Sequence, residues 1–162
     1  LGHRRIACLG IPNISHVGRE RARGVRKAFQ DAGLPVDETL FREVGFNEKA
    51  AEDCTAELLA LRERPTAFLV RHDVAARGTM RAVCSAGLGI PEDISIVGNG
   101  DMLGSDMFRV PLTTVRFPAR QMADFCVQTL LDMLSGEAVE PETTIFDVDL
   151  VVRASTAPPR AL

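Results

Sequence analysis

The sequence predicts an α/β fold, a parallel sheet of repeated βα units with helices on both faces. Three observations carry that prediction. Short apolar runs alternate with longer stretches of helical periodicity along most of the chain, as βα units require. The residues Pro91-Glu92-Asp93-Ile94-Ser95-Ile96-Val97-Gly98-Asn99 read as a helix-to-strand connection, a buried parallel strand and an irregular loop at its carboxyl end. Shortly afterwards, Pro111-Leu112-Thr113-Thr114-Val115 describes another strand entered through proline.

The elements follow in order. Ile6-Ala7-Cys8-Leu9 is a short buried strand ending at Gly10, and a helix from about Val17 to Ala32 carries Val25, Ala28, Phe29 and Ala32 on one face until Gly33 stops it. Thr39 to Val44 supplies a second strand. Asn47 then caps a helix whose apolar face is Ala51, Cys54, Leu58 and Leu61. Ala67-Phe68-Leu69-Val70 is the third strand, and Asp73 is placed to accept backbone N–H bonds at the start of a helix through Ala86. Gly87 and Gly89 close that helix, and Ile94 to Val97 is the fourth strand. Beyond Gly98 a loop through Asn99-Gly100-Asp101 and Gly104-Ser105-Asp106 leads to a strand from Thr113 to Arg116. Pro118 starts a helix ending near Ser135-Gly136 with Met122, Cys126, Leu130 and Met133 as its stripe. An extended stretch from Thr144 to Arg153 precedes Pro158-Pro159.

Composition narrows the function classes. At 162 residues, 46% hydrophobic and 25% charged, the chain has the mixture of one ordinary globular domain. A net charge of -3 argues against nonspecific phosphate binding by the whole surface, and the basic run Arg19, Arg21, Arg23, Arg26, Lys27 reads mainly as a solvated helix face. Cys8, Cys54, Cys84 and Cys126 are widely separated, without metal-ligand spacing, and read as small core hydrophobes of a reducing cytosol. No run is long and apolar enough to span a membrane. The start Leu1-Gly2-His3-Arg4-Arg5 opens into a strand rather than a signal peptide and lacks an initiator Met, as expected of a piece of a longer chain.

Several texts occur together in one order: Arg5 to Ala7, Arg21 to Gly24, Pro65 to Val70, Asp73 with Ala76 and Gly78, Ile90 to Gly98, Pro111 to Val115, and Leu150 to Thr156. In that order they resemble the LacI/GalR (lactose-repressor) family of bacterial transcription regulators over nearly the whole chain. The resemblance implies a periplasmic-binding-protein-like (type I) lobe in truncated form. Residues 1–162 would be a single effector-binding unit, with the C-terminal lobe at 1–112 and 150–162 and a crossover segment, 113–149, belonging to an absent N-terminal lobe. It implies a small-molecule effector (sugar, sugar acid or phosphosugar), a homodimer, and operator DNA reached only through an absent N-terminal headpiece. No cofactor, no metal and no membrane partner are implied, and the location is cytoplasmic.

Ligands in open parallel sheets bind outside the carboxyl ends of the strands, which selects the residues after Leu9, Val44, Val70 and Val97. The resemblance assigns ligand-binding candidates at Arg21, Phe46, His72, Asp73, Asn99 and Asp101, each with a structural alternative. Arg21 offers a fork for paired hydroxyls or a carboxylate, or is a surface arginine, with Arg19 or Arg23 taking its place if the helix phase differs. Phe46 covers an apolar effector face or belongs to the core. His72 stands where the family has Asn and Asp73 where it has Asp; the pair contacts ligand or simply caps a helix beside a surface histidine. At Asn99-Gly100-Asp101 the chain departs most, because Gly100 occupies the position of the family's sugar-binding Asp. Asp101 shifts inward to compensate, or the effector is acidic or phosphorylated. Phe117 is expected to pack under the crossover.

The leading expectation is the effector-binding, dimerising core of a DNA-binding transcription regulator. A solute receptor for transport shares the fold, and the texts at Pro91 to Gly98 and Pro111 to Val115 favour the regulator. An enzyme is disfavoured: His3, His16 and His72 are the only histidines, and no nucleophile elbow, P-loop or dinucleotide motif is present.

Overall fold

The computed structural model describes residues 1–10, 15–136 and 143–160, so residues 137–142 of the expected crossover segment lie outside it. The described elements are β1 (Ile6–Gly10), α1 (His16–Asp31), a 3₁₀ turn (Glu38–Leu40), β2 (Phe41–Glu43), α2 (Glu48–Leu59), β3 (Ala67–Val70), α3 (Asp73–Ser85), β4 (Ser95–Asn99), β5 (Thr113–Arg116), α4 (Ala119–Leu134) and β6 (Asp149–Val151). One six-stranded sheet runs β2-β1-β3-β4-β5-β6; all neighbours are parallel except β6, which pairs antiparallel with β5.

Alternation along each strand divides the sheet into two unequal faces. Ala7 and Leu9 of β1, Phe68 and Val70 of β3 and Ile96 of β4 join Ala51 and Leu58 of α2 and Ala75, Ala76, Met80 and Val83 of α3 in one buried core. Phe68, 1% exposed, is the largest fully buried side chain and contributes about 2–3 kcal/mol by its removal from water. The opposite face is covered by α1 over only part of its width. Val25, Ala28, Phe29 and Ala32, the expected stripe of α1, flank an apolar groove of about 760 Å³ whose floor includes Ile6, Leu69, Val97 and Val115. Of that stripe only Phe29 is buried.

The structure corrects several boundaries. Thr39 and Leu40 belong to a 3₁₀ turn rather than to the second strand, because the Asp37 carboxylate accepts from the Thr39 backbone and curls the chain before β2. On α2 the buried positions are Ala51, Thr55 and Leu58; Cys54 is half-buried and Leu61, past the helix, is exposed. Asp73 does not cap α3. The cap is His72, whose Nδ1 accepts from the Val74 N–H at 3.2 Å, while Asp73 turns into the molecule.

Within the segment expected to cross over, β5 is built into the sheet whereas α4 is not packed against it. Helix α4 buries none of its residues, and Met122, Phe125, Leu130, Met133 and Leu134 are all exposed. After it, β6 returns to the sheet edge, and Ser155 completes the return by accepting from Thr113 N and donating to the Ile96 carbonyl.

Candidate functional site

The carboxyl edge of the parallel strands gathers the candidates into one arc. Phe46 follows β2, and its ring meets the His72 imidazole edge-on at 4.3 Å between centroids. Phe46 is 60% exposed, so it is not a core residue. Arg21 projects from the first turns of α1, donates Nη1 to the Arg71 carbonyl at 3.2 Å and lies over the Phe117 ring at 5.5 Å. Phe46, His72, Arg71, Arg21 and Phe117 therefore form a continuous line across three strand ends. Asn99 closes it at the end of β4, on the wall of the same cavity as Arg21 and Arg71.

The phase of α1 selects Arg21 from the basic run. Arg23 pairs with Glu20, Arg26 with Glu38 and Lys27 with Asp31 on the solvent side. Arg21, half-buried, has no carboxylate against it among the described residues, and burial lowers its pKa. Burial likewise lowers the pKa of His72; the charge of Asp73 opposes this and that of Arg21 adds to it. With Nδ1 accepting the cap bond, the neutral ring carries its proton on Nε2, a donor available to a ligand. Asn99 presents a buried carboxamide oxygen with no hydrogen-bond partner among the described residues. A buried acceptor of this kind calls for a donor, which a ligand hydroxyl or an ordered water supplies.

Asp73 and Asp101 face other tasks. Asp73 is fully buried: its carboxylate accepts from Thr114 Oγ1 at 2.8 Å and from Met102 N and Ser105 Oγ at 2.9 Å each. Gly98 is required beside it, since a Cβ there would stand 2.3 Å from Asp73 Oδ1. Asp101, at φ 47°, accepts from Arg116 at 2.6 Å and from Arg153 at 2.7 Å. Burial alone would raise its pKa, but the bonds and charges of the two guanidiniums outweigh it and hold the carboxyl below its ordinary range. The two aspartates thus fix the loop around Gly100, and both carboxylates are already engaged.

Arg71 is the residue that motif reasoning passed over. It immediately follows Val70, one of the selected strand ends, and precedes the His72–Asp73 pair that the resemblance marks. Its guanidinium is buried, donates to the Gly18 carbonyl at 3.0 Å and lies across Gly10, where a Cβ would approach Nη2 to 1.7 Å. A buried cation at a strand end is a signal that sequence alone does contain: an arginine directly after a fully apolar strand. Phe117, half-buried, lies beneath Arg21 and joins the arc.

The remaining histidines stand apart. His3 bonds to Thr66 and Ser95 before β3 and at the start of β4, on the amino edge, and His16 is exposed on α1. Among the described residues no His, Cys, Asp and Glu cluster could hold a metal ion, and no helix is long and apolar enough to cross a membrane.

Known proteins are similar to this chain in architecture and in sequence. Residues 1–156 match the periplasmic binding protein-like domain family. The HTH-type transcriptional regulator DegA of Bacillus subtilis is 33% identical over 98% of this chain and 47% of its own length. Among solved structures, a transcriptional regulator CelR–cellobiose complex superposes with a TM-score of 0.88 at 31% identity, over 95% of this chain and 47% of that one. A dimeric Lac repressor lacking 11 C-terminal residues gives 0.91 at 33% identity, over 98% and 57%. The chain thus spans about half the length of the curated relatives it matches.

Proposed function

Since the chain belongs to the periplasmic binding protein-like domain family, in the branch whose relatives are HTH-type transcriptional regulators, we propose that it is the effector-binding part of such a regulator. The observation that carries the reading is the arc at the carboxyl edge of the parallel strands: one half-buried arginine, two exposed or half-exposed rings, a histidine with Nε2 available and an unmet amide oxygen. A sugar fits these groups, with a C–H face for Phe46 and Phe117 and hydroxyls for Arg21, His72 and Asn99. CelR, a relative, has been solved with cellobiose. Asp73 and Asp101 serve the site by holding the loop around Gly100.

In this reading the lobe at 1–112 and 150–162 supplies half of a cleft, and the segment 113–149, whose first residues form β5 of the same sheet, is the crossover to the other half. The bare apolar face of α4 supports this division. An effector that binds the closed arrangement better than the open one shifts their populations, and through a homodimer alters affinity for operator DNA held by a headpiece outside this chain. The Lac repressor relative was solved as a dimer. The protein acts in the cytoplasm, where the DNA is. It binds rather than catalyses, since Nδ1 of His72 is spent on a helix cap and both site aspartates accept from fixed donors.

The test is direct. DNA selected from a random library by the full-length protein serves as operator, and its affinity is measured with and without a panel of sugars. At least one compound is expected to change that affinity, and Arg21→Ala to abolish the change while leaving DNA binding intact. If Arg21→Ala leaves the response untouched, the arc is not the effector site.

A further inference from the structure

Resting on that effector-site reading, we propose that the effector is an anionic polyol, a sugar acid or sugar phosphate. Its oxyanion is received by Arg21, with the buried guanidinium of Arg71 behind it. Arg21 is a half-buried cation whose partners among the described residues are a carbonyl oxygen and an aromatic ring, neither of which neutralises it. Arg71 adds a second charge, 7% exposed, wedged between the Gly10 backbone and the Gly18 carbonyl. The two repel one another, and Arg71 feels both Arg21 and Arg26 as like charges.

Among the described residues, the acidic groups of this edge leave the charge of Arg21 standing. Asp73 is enclosed by its three donors, Asp101 is shared by Arg116 and Arg153, and Glu48 is held by Arg77 and Arg81. Glu43 tempers Arg71 from the end of β2. The amino ends of α1, α2 and α3 open on the same edge and add their positive dipole ends. A planar guanidinium fork bonds two oxygens of a carboxylate or phosphate at once, which a neutral hydroxyl cannot match. The orphaned Asn99 oxygen, on the wall of the same cavity, accepts from a hydroxyl, which makes the ligand a polyol as well as an anion.

The experiment is calorimetric titration of the full-length protein with matched probes: glucose, gluconate and glucose 6-phosphate, then ribose and ribose 5-phosphate, with inorganic phosphate as competitor. The anionic member of a pair is expected to bind about ten- to a hundred-fold more tightly than its neutral parent, the range of one charge-assisted bond. Phosphate should compete. Arg21→Gln should erase the preference, Arg71→Lys should keep it, and Arg62→Gln, exposed before β3 on the opposite edge, should leave it unchanged. Should Arg71 variants fail to fold, Arg21→Gln, at a half-exposed position, decides alone. Equal affinity for neutral and anionic members, a preference that survives Arg21→Gln, or no saturable binding of any anion overturns the proposal. A neutral sugar that shifts DNA affinity without anion preference would remove this inference and leave the effector-site reading intact. Failure of every compound to shift it would remove that reading instead.

Discussion

Replacing Asp73 by alanine tests the description of the carboxyl edge most sharply. The side chain is 0% exposed and accepts three hydrogen bonds, one from the Met102 backbone and one each from the Ser105 and Thr114 hydroxyls. Each bond to a carboxylate is worth about 1.5–3 kcal/mol net, but the two hydroxyls can turn to other acceptors, whereas the backbone N–H cannot. One full loss and two partial ones sum to about 3–5 kcal/mol, a large part of the roughly 5–15 kcal/mol that holds a domain together. Urea denaturation followed by far-ultraviolet circular dichroism measures it. In a double-mutant cycle with Ser105→Ala, the serine substitution is expected to cost about 1 kcal/mol alone and much less once Asp73 is gone. A loss below about 1 kcal/mol for Asp73→Ala, or full additivity with Ser105→Ala, would falsify the account of Asp73 as the hub of this loop.

Four further outcomes are expected. Asp101→Asn should cost about 1–3 kcal/mol at pH 7 through its two charge-assisted bonds. Because the folded pKa of Asp101 lies below its unfolded value, this contribution is complete above the ordinary carboxylate range and fades as pH falls through the depressed value, so the wild-type and variant denaturation curves should converge in acid. Cys8, whose thiol burial pushes up to about 12, should resist iodoacetamide at pH 8 while exposed Cys126 is alkylated, as read by peptide mass spectrometry; equal labelling contradicts the burial. Phe46→Ala should change stability by under about 1 kcal/mol, since the ring is mostly exposed, yet weaken effector binding by calorimetry; the reverse pattern makes it a core residue. Finally, the 162-residue chain alone should self-associate in sedimentation velocity through α4, with Phe125→Glu and Leu130→Glu lowering the apparent mass.

Much of this was legible in the sequence because strand and helix periodicities rarely conflict here. The runs at Ile6, Ala67 and Ile94 lie in or enter strands, and Asn47 and Gly33 act where their side-chain chemistry demands. Propensity failed where a side chain bonds across the fold rather than along the chain. Asp73 has the composition of an N-cap, but its oxygens are drawn 29 to 41 residues away, and the histidine before it does the capping. Thr39 is β-branched and suits a strand, yet a single local carboxylate bends it into a 3₁₀ turn. At the site, the α1 phase resolved which arginine turns inward, something neighbouring arginines at alternate positions cannot reveal by spacing. Arg71 is marked in the sequence by its place directly after an apolar strand, but its burial is not, because that depends on a gap left by a glycine 61 positions earlier.

That gap ties two distant letters of the sequence together. Any side chain larger than hydrogen at position 10 evicts the Arg71 guanidinium, and without arginine at 71 the reason for glycine at 10 disappears. Among descendants and cousins of this chain the two positions should therefore change in concert, glycine accompanying arginine and larger residues accompanying its loss. A lineage that exchanges its effector by discarding Arg71 would leave the record of that exchange in the first strand, far along the sequence from the pocket it altered.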